Sequence, residues 1–92
     1  MSNEQFQSIW DAISDTPEEA ANLSARADLM HRIIEIIQEN GWKQVEAAKR
    51  MGVTQPRVND LLHGRVSRFS LDALVNMAAM LGRRVRVELM AA

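Results

Sequence analysis

Apolar residues recur along this chain in five blocks at helical spacing, followed by a final block that alternates with polar residues. In the longest block, Leu23, Ala27, Leu29, Met30, Ile33, Ile34, Ile36 and Ile37 cover about half of a helix circumference at ~100° per residue. A face that broad predicts a helix from Ser24 to Asn40, touched by neighbours on two sides and ended by a left-handed cap at Asn40-Gly41. Ahead of it, Thr16-Pro17-Glu18-Glu19 reads as a helix start, with a capping hydroxyl, a proline in the first turn and carboxylates near the positive helix end. Asn22 and Ser24 offer a second cap, so residues 17–23 are either continuous with the main helix or a separate short turn. Farther on, Val45, Ala47, Ala48 and Met51 predict a short helix that leaves through Gly52, with Val53 as an apolar plug. Thr54-Gln55-Pro56 opens another at once and turns Val58, Leu61 and Leu62 inward. Leu71, Leu74, Val75, Ala78 and Leu81 make the buried face of a last helix, capped by Ser70, stapled by Phe69 on Leu74 and closed at Gly82.

The two ends of the chain pose separate problems. Phe6, Ile9, Trp10 and Ile13 fall at i, i+3, i+4 and i+7, which predicts an amphipathic helix from about Glu4 to Ser14. An isolated helix needs ~12–15 residues to persist in water, so this shorter one must dock, either on its own domain or on a second protein. At the other end Val85, Val87 and Leu89 alternate with Arg84, Arg86 and Glu88, the pattern of a half-buried strand. A lone strand leaves its backbone unpaired. Its partner is an N-terminal segment, the same strand of a second subunit or a strand of another protein. Because the N-terminal region reads helical, pairing across a two-fold axis is the expectation. The division that follows is an acidic arm over residues 1–22, a helical unit over 23–82, and a strand with its tail over 83–92, one domain overall.

Composition narrows this picture. Ninety-two residues suffice for one modest core, and 47% hydrophobic residues with 4% aromatic suit a small all-α bundle. Cysteine is absent, and there is no signal segment or long apolar run, so a cytoplasmic protein without membrane contact is expected. Charge is divided sharply. Residues 1–42 hold two arginines against eight carboxylates, a net of −6, whereas residues 43–86 hold nine basic side chains against three acidic ones, a net of +6. That asymmetry offers a basic half to phosphate.

Within the basic half, Gln44 to His63 reads as a helix-turn-helix. Small Ala48 permits a close crossing, Gly52 makes the turn, and Val58 with Leu61 locks the pair. Major-groove reading needs side chains on the first turn of the second helix that make paired hydrogen bonds to base edges. Gln55 suits adenine and Arg57 suits guanine, and Asn59 projects from the outward side of the same helix, so these three are the candidate base readers. Lys43, Gln44, Thr54, His63, Arg65, Ser67 and Arg68 lie where phosphates would run, Gln44 beside a helix N-terminus that favours an anion. Asp60 is unwelcome near DNA, and pairing with Arg57 within the helix is the expected remedy. No enzyme signature is present: His31 and His63 sit in separate elements, His31 on a polar face, and no nucleophile motif, phosphate loop, metal spacing or cofactor fingerprint occurs. The six methionines read as core filler, and Trp42 as a core or seam residue.

From Leu23 to Leu89 the chain resembles the Cro/repressor (XRE-type) helix-turn-helix family, and ENGWKQVEAAKRMGVTQPRVNDLLHGRVSRFSLDALVNMAAMLG is similar to its branch of HigA-like antitoxins. The resemblance implies a lambda-repressor-like helical bundle in which the residues matching Gln44 and Gln55 cooperate, one holding phosphate and steadying the other at a base. Pro56 departs from the pattern, standing where many repressors place a small polar base-contacting residue. The resemblance further implies a dimer that represses its own operon at a palindromic operator and neutralises a RelE- or HigB-like mRNA interferase. The acidic arm with Phe6, Ile9, Trp10 and Ile13 is then the candidate toxin-binding segment. A phage or stand-alone repressor, and a protein-interaction module without DNA binding, are the competing readings.

Overall fold

The computed structural model describes residues 16–91. The helix expected over Glu4 to Ser14, with Phe6, Ile9, Trp10 and Ile13, lies outside the described residues. The described chain runs through helices α1 (Pro17–Asn40), α2 (Gln44–Met51) and α3 (Gln55–Leu62), a 3₁₀ turn at Val66–Arg68, and helix α4 (Leu71–Met80). Its regular elements are all helical, and none of the helices is long and apolar enough to cross a membrane.

Each helix starts where a hydroxyl satisfies its first turn, with one exception. Thr16 Oγ1 accepts from the Glu19 amide at 3.0 Å, Thr54 Oγ1 from Arg57 at 3.4 Å, and Ser70 Oγ from Ala73 at 3.0 Å. Lys43 precedes α2 without a side-chain cap. Gly41 and Gly52 close α1 and α2 in the left-handed conformation, at φ 64° and 67°. A Cβ at Gly52 would meet only the Met80 side chain, at 3.4 Å, and Met80 is exposed. Gly52→Ala is therefore expected to cost about 1–2 kcal/mol, the strain of left-handed backbone alone, read as a shifted urea midpoint with an unchanged slope.

One sequence expectation is resolved and three are corrected. First, α1 is one unbroken helix that runs through Asn22 and Ser24. Of the two alternatives for residues 17–23 the continuous one holds: Thr16 already caps the helix, Ala20 is buried, and no glycine or proline interrupts residues 18–40. Second, Val45 is half exposed, so α2 buries only Ala47, Ala48 and Met51. Third, Met77 replaces Val75 on the buried face of α4, one turn beyond Leu74 and beside Ala78. Fourth, Met80 and Met90 are exposed, so the methionines do not all fill core.

The core forms where α1 passes beneath the α2–α3 pair and α4. It joins Leu23, Met30, Ile33 and Ile37 of α1 to Ala47, Ala48 and Met51, to Val58 and Leu61, to Val66 and Phe69, and to Leu74, Met77 and Ala78. Ile34 and Leu29 pack at its margins, which accounts for the breadth of the α1 apolar stripe. Arg26 ties the layers by a polar link, its Nη1 donating to the carbonyls of Phe69 at 3.0 Å and Val66 at 3.3 Å.

Beyond α4 the chain turns at Gly82, and residues 83–91 belong to neither helix nor strand. Val85 packs on the core, while Val87 and Leu89 are exposed. An alternating segment makes a ladder only against a second strand, and the described residues of one chain supply none.

Candidate nucleic-acid interface

The pair α2–α3 fixes the candidate interface because its inner side chains leave little freedom. Ala47, Val58 and Leu61 are each 0% exposed, and Val53 fills the bend after Gly52. With Val58 and Leu61 inward, the ~100° step places Pro56, Asn59, Asp60 and His63 along the outward side of α3, with Gln55 and Arg57 on opposite edges. Gln55 is exposed, and Asn59 is half-buried.

Arg57 is not positioned like Gln55. Its guanidinium carbon lies 4.0 Å from the centroid of the buried Phe69 ring, and its Nη1 donates to the Arg68 carbonyl at 2.7 Å. That edge of α3 is thereby fastened to the 3₁₀ turn. The pairing of Arg57 with Asp60 is corrected too. Asp60 Oδ1 accepts from Arg65 Nη1 at 2.7 Å and from Arg68 Nη1 at 2.8 Å, and neither partner is Arg57. The reason is that Arg57 is already held by Phe69 and the Arg68 carbonyl, whereas the loop after Gly64 brings Arg65 and Arg68 to Asp60.

The Arg65 hydrogen bond, reinforced by the charge and hydrogen bond of Arg68, outweighs desolvation and holds the Asp60 carboxyl below its ordinary range. With the folded value depressed, this link contributes stability above the unfolded carboxylate value of about 3.9 and loses it as pH falls through the folded one. Carboxyl NMR is expected to show Asp60 titrating below an ordinary aspartate, and Arg65→Gln to raise its midpoint. An unshifted midpoint in the native chain would show the clamp to be absent in solution.

Other candidates take simple positions. Lys43 is exposed and Gln44 half-buried at the start of α2, whose first-turn N–H groups have no side-chain partner among the described residues. Thr54 is committed to capping α3. His63 closes α3, its Nδ1 2.8 Å from the Asn59 carbonyl oxygen, and Ser67 is exposed on the 3₁₀ turn. Trp42 is half-buried at the seam before α2, with Arg50 stacked 4.4 Å from its ring centroid and paired to Glu46 at 2.8 Å. His31 sits on the exposed face of α1 beside Glu35, at 3.8 Å. Sequence reasoning missed Arg26, which holds the carbonyls that bracket the 3₁₀ turn carrying Ser67 and Arg68. Its only sequence signal is a cation one residue from the core stripe of an otherwise acidic segment.

What results is a short helix held outward by a sharp turn, with cations on both flanks: Lys43 before α2, and Arg65 and Arg68 beyond α3. This is the architecture by which proteins set one helix into the major groove of DNA while the preceding one meets the backbone. A family model described as a helix-turn-helix domain matches residues 12–90. No curated protein matches the chain.

Proposed function

Since the chain belongs to the helix-turn-helix domain family, we propose that it is a sequence-specific, DNA-binding transcriptional repressor that acts as a homodimer. The observation that supports this most is the outward edge of α3. Gln55 is exposed at its first turn, flanked by the start of α2 on one side and by the Arg65–Arg68 loop on the other. Gln55 and Asn59 read bases in the major groove. Lys43, Gln44, Ser67 and the free edges of Arg65 and Arg68 meet phosphates. Arg57 stays on Phe69 in the free chain and swings to a base only by giving up its hydrogen bond to Arg68. Thr54 and His63 shape the ends of α3, and their reach to phosphate is secondary.

The regulator is further assigned, by its resemblance to the XRE-type, HigA-like branch, to autoregulation as the antitoxin of a toxin–antitoxin pair. Supporting this reading is the net of −6 over residues 1–42, which suits a basic, RNA-cleaving partner of the RelE or HigB kind. Phe6, Ile9, Trp10 and Ile13 form the apolar side of that contact.

A reporter driven by the DNA upstream of the reading frame tests the repressor role. The native chain is expected to silence it, and the double variant Lys43→Ala, Gln55→Ala to release it. Equal reporter output with and without the native chain would overturn the proposal. Capture of the native chain followed by mass spectrometry tests the partner separately: a small basic protein is expected, and its absence would remove the antitoxin role while leaving DNA binding standing.

A further inference from the structure

We infer that two copies of this chain pair antiparallel through their C-terminal segments in one register, centred on Val87, and that Leu89 of each copy docks in a groove of the other. This deepens the homodimer reading above and rests on it.

The groove lies between α1 and the C-terminal segment and holds about 310 Å³. Leu29, Ile33 and Ile36 of α1, with Ala78 of α4 and Val85, supply its apolar lining, and Arg32, Arg83, Arg84 and Arg86 complete its walls. Beside it, Val87 is 85% exposed and Leu89 fully exposed. Residues 84–90 also make no backbone hydrogen bond among the described residues. A groove with an aliphatic wall, an unpaired backbone and two exposed apolar side chains therefore adjoin one another, and one occupant satisfies all three.

Charge favours one register. Successive side chains of an extended segment point to opposite faces, so Val85, Val87 and Leu89 share one face and Arg84, Arg86 and Glu88 the other. Centring the two-fold on Val87 sets Arg86 opposite Glu88 of the second copy, twice over, and Val85 opposite the second copy's Leu89. Centring it on Arg86 sets two arginines face to face, and centring it on Glu88 two glutamates, and directly opposed like charges destabilise a ladder. In the single chain Arg86 Nη2 meets its own Glu88 at 2.8 Å, both largely exposed, a contact that reforms across the dimer at little cost. Because Val85 lines the groove, the side chain opposite it, Leu89 of the second copy, is the one delivered there.

The native chain contains no cysteine, so single cysteines report the register directly. Directly opposed residues lie ~4.5–5.5 Å apart at Cα, within disulfide reach. Residues four positions out of register are ~14 Å apart. Under mild oxidation Val87→Cys is expected to link to itself. Val85→Cys and Leu89→Cys alone are expected to stay unlinked, and an equal mixture of the two to link. Arg86→Glu and Glu88→Arg should each weaken dimerisation about tenfold or more in sedimentation, and the double swap should restore it. Self-linking of Val85→Cys, or failure of Val87→Cys to link in a chain that sediments as a dimer, would overturn the register while sparing the homodimer. A native chain that sediments as a monomer at micromolar concentration would overturn both.

Discussion

Phe69→Ala is expected to lower stability by about 3–5 kcal/mol, the largest loss of any single truncation in this chain. The ring is 1% exposed and joins the core cluster shared by all four helices. Its removal leaves a void in that cluster and strips Arg57 of the surface it stacks on. Domains of this size are stable by about 5–15 kcal/mol, so the variant stands near the edge of folding. Urea denaturation followed by far-ultraviolet circular dichroism measures the loss. Val45→Ala, at a half-exposed position, serves as the contrast and is expected to change stability by less than about 0.5 kcal/mol. Equal midpoints for the two variants would contradict the core as described.

Gln55→Ala is expected to have the opposite profile, with stability nearly unchanged and discrimination between bases reduced by about 1–3 kcal/mol, or about 5- to 150-fold. Gln55 is exposed, and none of the hydrogen bonds among the described residues uses its side chain, so its loss subtracts nothing from the fold. The effect should appear as weaker binding to the upstream DNA with unaltered binding to shuffled DNA, because phosphate contacts are kept. Arg57→Ala, in contrast, should cost both stability and affinity, since that side chain braces α3 against the 3₁₀ turn and, in the proposed complex, swings to a base. If Gln55→Ala weakened binding to both DNAs equally, its role would be electrostatic or structural rather than base-reading.

These two residues also mark where sequence reasoning succeeds and where it stops. Local features were legible. The caps at Thr16, Thr54 and Ser70, the left-handed exits at Gly41 and Gly52, and the inward pair Val58 and Leu61 depend on near neighbours in the chain, and each stands in the structure as expected. Long-range partners were not. Asp60 pairs with residues five and eight positions later because a loop folds back over it, which helical spacing cannot reveal. Arg26 meets carbonyls 40 and 43 residues away. Asn22 and Ser24 carry capping chemistry, yet the burial of Ala20 and Leu23 on either side of Asn22 keeps α1 continuous, an instance of packing overriding local preference. Val45 misled for a related reason: α2 is short enough that three small or flexible residues fill its contact with α3, leaving the valine outside.

The candidate interface divides in the same way. Exposure of Gln55 and the cationic flanks follow from periodicity and composition. The holding of Arg57 against Phe69, and of Arg65 and Arg68 by Asp60, is a tertiary arrangement that leaves two of the three arginines with free edges towards solvent.

In the proposed function, α3 and its cationic flanks recognise DNA of defined sequence. Titrating the native chain against its upstream duplex and against a shuffled duplex, over about 50 to 200 mM salt, tests it most directly. The affinity for the upstream duplex is expected to lie about a thousandfold or more above that for the shuffled one and to fall steeply with salt as phosphate counterions are released. Equal affinity for the two duplexes, or binding that ignores salt, would contradict that function.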